Sequence, residues 1–379
     1  MRRPWTRSVV AACAAIALLL TVETGAAANA AGTPTAPSPA VVQDDDLRTE
    51  CAKQAKANSQ KGWIKSRFET CVHRPTYLQL KDTRRRLLGE LWFDLYILGF
   101  AYDGSRRVDY TSSIENIKAK PVAGENPANW RIEHSITHRI IAQESGVNPQ
   151  INSPANTFQV GTIAEWNAKP FVQLTYTSPD TGKVEDGNAQ VVMGELNLSV
   201  KVTSPTAEPW EDRTMATSKF RFDYAGRTAG KYKGTVFPEA RVEMVMRLAD
   251  PEVDQSARHI LDAQQFPERT FPSWAGKTVP GAAAGQPLHR MVNAEKQDEQ
   301  RAKSISQCKE VWGDYSGTGL ECDEYPFAST YEGSMKGDNR YSVRLIDAAD
   351  NRQGGKIIQR TYEENRIIDN DEFYVKIVP

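Results

Sequence analysis

Glu321, Asp323, Glu324 and Glu332 place four carboxylates within twelve positions, in the run Glu321-Cys322-Asp323-Glu324-Tyr325-Pro326-Phe327-Ala328-Ser329-Thr330-Tyr331-Glu332-Gly333. Carboxylates this close together either move protons or gather a cation. The interleaved Tyr325, Phe327 and Tyr331 set the stretch apart from a solvated charge run and imply that part of it is packed. Acids beside packed aromatics cost free energy unless a cation or hydrogen-bond donors offset them. A hard divalent ion is one natural offset, since Mg²⁺ takes oxygen from one or two carboxylates and keeps several waters.

The core of that run, CDEYPFASTYEG, resembles the signature of the NucA/NucB family of secreted bacterial deoxyribonucleases. The run Asp350-Asn351-Arg352-Gln353-Gly354-Gly355 is similar to the second block of the same family. The resemblance covers only the last quarter or so of the chain. It implies a metal-dependent hydrolase that cuts DNA without sequence preference, using Mg²⁺ or Mn²⁺, on a variant of the ββα-metal fold. That variant lacks the usual histidine base and uses a carboxylate, and no histidine follows His289 here.

Carried over residue by residue, the resemblance makes Asp323 the general base and Glu324 its orienting partner. Two adjacent acids titrate as a coupled pair, so which of them is the base stays open. Glu332 and Asn351 become the metal ligands, and Arg352 and Arg360 the phosphate contacts. Arg352 would act from the first turn of a helix, where the dipole favours anions. Phosphodiester hydrolysis asks for such a set: a deprotonated water, a cation against the growing charge, and donors on the flanking phosphates. Each residue also has a plainer reading. Asp323-Glu324 suits an acidic turn, Glu332 before glycine another turn, Asn351 a helix cap, and Arg352, Arg360 and Arg366 a solvated helix face. His289 reads as a surface residue.

The elements that must position these residues follow from local pattern. Residues 288–310 lack proline and glycine and read as a surface helix ending at Cys308; 313–319 is a glycine-rich loop. A strand starts at Cys322, a second spans 341–347, Asn351 opens a helix to about Arg366, and 373–378 closes as a strand. Strand, strand, helix, strand is compatible with a ββα-metal core in a domain over 288–379.

Upstream, 266–287 is rich in proline and glycine and reads as a linker. Residues 45–265 carry alternating runs at 87–102, 130–142, 171–177, 191–202, 220–224 and 240–248, with a hairpin turn at 178–183. They predict an antiparallel, sandwich-like accessory domain with no function assigned, and an α+β chain overall. His134 and His138 share a strand face, but with no third ligand they read as ordinary strand residues.

Arg2, Arg3 and Arg7 precede an apolar run over 9–22, and Ala28-Asn29-Ala30 offers a small-x-small cleavage site. Residues 1–30 thus read as a signal peptide, followed by a flexible leader over 31–44, and the mature chain as secreted without stable membrane association. Cys13 leaves with the signal, and the four remaining cysteines fall into two local pairs, Cys51–Cys71 and Cys308–Cys322. The second pair would fix the residue directly before Asp323. Formal net charge is -1, so no global basic field announces a polyanionic partner. After residue 285 acids outnumber bases by about four, which predicts weak, salt-sensitive DNA binding. The alternatives are a secreted binding or adhesion protein with an inactive nuclease-like domain, and an interbacterial nuclease toxin.

Overall fold

The computed structural model describes residues 39–122, 124–143, 150–155, 157–179 and 190–379. The signal peptide, the first part of the leader and most of the expected 178–183 turn lie outside the described residues. The leader, read as flexible to residue 44, gives way at Pro39 to helix α1 (Pro39–Cys51). Its buried Leu47 and Cys51 pack with Cys71, Tyr96 and Leu98, and the Cys51–Cys71 disulfide fixes the helix end to the first sheet.

Period-two alternation builds the upstream part. Strands β1 (Trp63–Ile64), β2 (Glu69–Lys81), β3 (Leu87–Ala101), β4 (Arg107–Pro121) and β7 (Phe171–Thr177) form a five-stranded antiparallel sheet in the order β1-β2-β3-β4-β7. A second sheet runs β11-β10-β8-β5-β6, from β5 (Arg131–Gln143), β6 (Phe158–Thr162), β8 (Val192–Thr203), β10 (Phe220–Tyr224) and β11 (Lys233–Val236), with β9 (Trp210–Ala216) also on β8. Leu95, Ile97 and Tyr110 of the first sheet share one buried cluster with Ile132, Leu196, Val200 and Phe220 of the second, the mark of a sandwich. Helix α2 (Ile163–Ala168) closes one end through buried Trp166, and its start is fixed by a Thr162/Glu165 capping box.

The C-terminal part begins earlier than the sequence implied. Strand β12 (Glu243–Arg247), read as sandwich, pairs parallel with β16 (Glu372–Val378), which also pairs with β13 (Leu288–His289). Helix α3 (Asp254–Gln265) buries Ala257, Ile260 and Ala263 in the same cluster as Leu288, Tyr325 and Phe373. A boundary at 265 therefore cuts through a packed core.

The 266–287 stretch is folded rather than free. Val343 N–H donates to the Phe271 carbonyl at 2.9 Å and Val375 N–H to the Gly281 carbonyl at 2.8 Å. The buried Lys277 ammonium donates to the Thr270 hydroxyl at 2.9 Å and to the Pro272 carbonyl at 2.8 Å. A Cβ on Gly281 would lie 2.1 Å from the Tyr325 hydroxyl. Glycine there serves close approach of the backbone, which composition alone reads as looseness.

Helix α4 (Ala294–Trp312) starts at Asn293, whose side chain accepts from Lys296 N–H. Residues 288–289, expected in that helix, form β13 because the apolar Leu288 has the β16 ladder to join. Strands β14 (Leu320–Tyr325) and β15 (Ser342–Asp347) pair antiparallel and lead into helix α5 (Ala348–Glu364). Asp347, not Asn351, caps that helix, accepting from Ala349 and Asp350 N–H.

A buried ionic network joins the two parts. Arg366 is fully buried rather than on a solvated face; it donates to Asp223 and, at 2.7 Å, to Asp103. Arg67 and Arg221 of the sandwich both reach Asp371. Burial alone would push the Asp371 carboxyl up, but Arg221 and Arg67 beside it hold it below its ordinary value.

Candidate active site

The site grows from β14. Alternation sends Glu321, Asp323 and Tyr325 to one face and Cys322 and Glu324 to the other. On the second face the Cys308–Cys322 disulfide bolts the strand to α4. On the first face α3 and α5 lie close together: Gly354 sits against Ser256, where an added Cβ would come within 3.2 Å of the hydroxyl. The buried carboxylate of Asp350 accepts from Gln255 N–H and Ser256 N–H, each at 2.9 Å, so an acid of α5 satisfies the first turn of α3.

One turn further along α3 is His259, fully buried. Its Nδ1 lies 2.7 Å from Asp323 Oδ2 and its Nε2 lies 2.7 Å from Ser342 Oγ. A carboxylate only accepts, so Nδ1–H donates to Asp323, while Nε2 shares a hydrogen bond with the Ser342 hydroxyl. Asp323 is 8% exposed. The sequence reading missed this histidine because it stands 64 residues before its partner, in a segment assigned to the other domain.

Asp323, Glu324 and Asn351 line one cavity of about 660 Å³. Burial, and then the neighbouring Asp323 charge, push the Glu324 carboxyl up to about 7, against the pull of Arg301 and the Ala328 N–H. Among the described residues no lysine or arginine forms an ion pair with Glu324 or Asp323. Asn351 donates through Nδ2 to Glu321 Oε2 at 3.1 Å, leaving its carbonyl oxygen as an acceptor.

The other expected site residues fall elsewhere. Glu332 accepts from His289 N–H at 2.8 Å and from His289 Nδ1 at 2.9 Å, and neither residue lines the cavity. Arg352 pairs with Glu321 at 2.7 Å and Arg360 approaches Glu364 at 4.0 Å, both on exposed helix surface off the cavity. The cations that do line it are Arg227, Arg290 and Arg301. Arg290 lies over the Tyr362 ring, 4.4 Å from its centroid.

Among the described residues no cluster of three or more His, Cys, Asp or Glu has metal-binding geometry. The donors that remain fit a hard divalent ion in kind: two carboxylates and one amide oxygen on a single cavity, with room for the waters such an ion keeps. Burial first and the Asp323 charge second raise the Glu324 carboxyl, and a cation beside the two acids would offset both. Glu332 lies off this cavity, with each of its oxygens accepting one hydrogen bond from His289.

No helix among the described residues is long and apolar enough to cross a membrane. No curated protein matches the chain. Residues 280–376, about a quarter of the chain, match the sequence model of the deoxyribonuclease NucA/NucB family, and both blocks that carry the resemblance fall inside that span.

Proposed function

We propose that the protein is an exported, divalent-metal-dependent endodeoxyribonuclease without sequence preference, in which β14, β15 and α5 serve as a ββα-metal core. The observation that carries this reading is the meeting of Asp323, Glu324 and Asn351 on one cavity within the family-matched span. Two disulfides suit an oxidising destination.

In this reading Asp323 is the general base. His259 holds Oδ2, so Oδ1 takes the proton from the attacking water. Glu324 shares the cavity beside it. A bound Mg²⁺ or Mn²⁺, held by Glu324 and the Asn351 amide oxygen, would supply charge neutralisation at the phosphoryl and leaving oxygens. The test is plasmid DNA incubated with the protein and Mg²⁺ or Mn²⁺, with and without EDTA. The wild type should degrade it only without EDTA, and Asp323→Ala should leave it intact. Equal cutting by the variant sinks the base assignment, and no cutting by the wild type sinks the nuclease reading.

A further inference from the structure

The turn between β10 and β11 belongs to the sandwich, yet Arg227 and Thr228 at its tip line the same cavity as Asp323 and Glu324. Its shape is set from both sides. Within the turn, Thr228 donates to the Ala225 carbonyl through N–H at 3.0 Å and through its hydroxyl at 2.5 Å. From below, the Arg366 guanidinium donates to the Lys231 carbonyl at 2.6 Å and also to those of Ala229 and Tyr232. Gly230 (φ +50) and Gly234 make room for that guanidinium: a Cβ would come within 3.1 Å of Arg366 Nη1 at the first and 2.2 Å of Nε at the second. The arginine just past the last helix of the nuclease part therefore holds a sandwich turn against the cavity.

The three cavity arginines are not equivalent. Arg290 is tied to the Ile367 carbonyl and the Tyr362 ring, and Arg301 to Asp298 at 2.8 Å. Arg227 is exposed and has no acid paired with it among the described residues. An uncommitted guanidinium, on a braced turn, lining the same cavity as Asp323 and Glu324, is placed to receive an anion that extends beyond the reacting group. A polynucleotide is such an anion, with one phosphate at the acids and its neighbours several ångströms along the strand. The nuclease part is itself short of positive charge, so a cation lent by the sandwich answers a deficit that the C-terminal sequence leaves.

We propose that the 225–230 turn is a DNA-phosphate subsite of the nuclease cavity, in which Arg227 binds a backbone phosphate flanking the scissile one. This rests on the nuclease reading and makes the sandwich part of the substrate site. The experiment compares wild type, Arg227→Glu, Arg227→Ala and Arg227→Lys on duplex DNA over a salt series, and on bis(p-nitrophenyl) phosphate, which has no flanking phosphate. The glutamate variant should raise KM for DNA about tenfold. Loss of one phosphate contact should flatten the slope of log(kcat/KM) against log salt by about 0.9. Lysine should restore most of both, and the minimal ester should be cut at the wild-type rate. Unchanged KM and salt slope overturn the proposal, as does an equal loss on both substrates, which would place Arg227 at the reacting centre or in the fold. Binding of a fluorescent oligonucleotide in EDTA separates this from failure of the nuclease reading. If the wild type cuts nothing, weaker salt-dependent binding by Arg227→Glu still upholds the subsite, and equal or absent binding overturns it.

Discussion

The imidazole of His259 lies between Asp323 and Ser342, 2.7 Å from each, so a helix outside the family-matched residues fixes the carboxylate on which hydrolysis is proposed to depend. His259 is a positioning residue in this arrangement. His259→Ala should lower kcat by roughly 10- to 100-fold with KM for DNA little changed, while Asp323→Asn should cost on the order of 10²- to 10⁴-fold. His259→Asn, which can still donate to the carboxylate, should recover part of the loss. The pH profile of kcat/KM should move in the alanine variant; an unmoved profile with intact kcat would show that His259 only fills space.

Glu324 gives a pH-dependent stability in the metal-free protein. Its folded carboxyl is pushed up to about 7 from an ordinary value of 4.5, so the folded state binds the proton more tightly than the unfolded chain. Below the unfolded value both states are protonated and nothing is lost. As pH rises from about 4.5 to about 7 the folded state is progressively penalised, by up to about 3 kcal/mol for a shift of this size and less for the part of the group that water reaches. Urea midpoints in EDTA should therefore show Glu324→Gln gaining on the wild type across that window and matching it near pH 4. A difference independent of pH would remove Glu324 as its cause.

Glu332 is expected to matter for folding and little for chemistry. Glu332→Gln loses charge-assisted bonds to His289 and should cost about 1–3 kcal/mol. Plasmid cleavage by the folded fraction should stay within about twofold of wild type. Loss of cleavage at full stability would instead restore Glu332 as a metal ligand.

Arg366→Met removes one of the two arginines paired with buried Asp223, leaving Arg221 alone on it, and frees the 225–230 turn. Breaking one side of a buried pair costs about 3–5 kcal/mol. Calorimetry should register that loss, and limited proteolysis should find new cleavage between β10 and β11. A melting temperature at the wild-type value would mean the network is not what joins the two parts.

Much of the sandwich was legible because β5, β8 and the first half of β3 face one core across their sheets, and a half-buried strand writes its burial into every second residue. The cysteine pairs were legible through their spacing, and the packing of the stretch around Asp323 and Glu324 through its interleaved aromatics, of which Tyr325 and Phe327 are buried. The linker reading failed because proline and glycine report backbone conformation and close approach, as at Gly281, as readily as looseness. His259, Arg227 and Arg366 could not be placed from local pattern, since each acts across contacts of more than sixty residues or across the junction between sheets. Arg366 in particular occupies a helix-like spacing with Arg352 and Arg360 but falls just past the helix end, at φ +48, where its side chain turns inward.

Strand β16 lies between β12 and β13, so the middle strand of this small sheet is the one read last of the three. A growing chain that has already made the cavity acids, the disulfide-bearing helix and α5 still leaves β12 and β13 without ladder partners. The core that α3, Leu288 and Tyr325 share with Phe373 and Val375 is therefore completed only once residues 372–378 have been made.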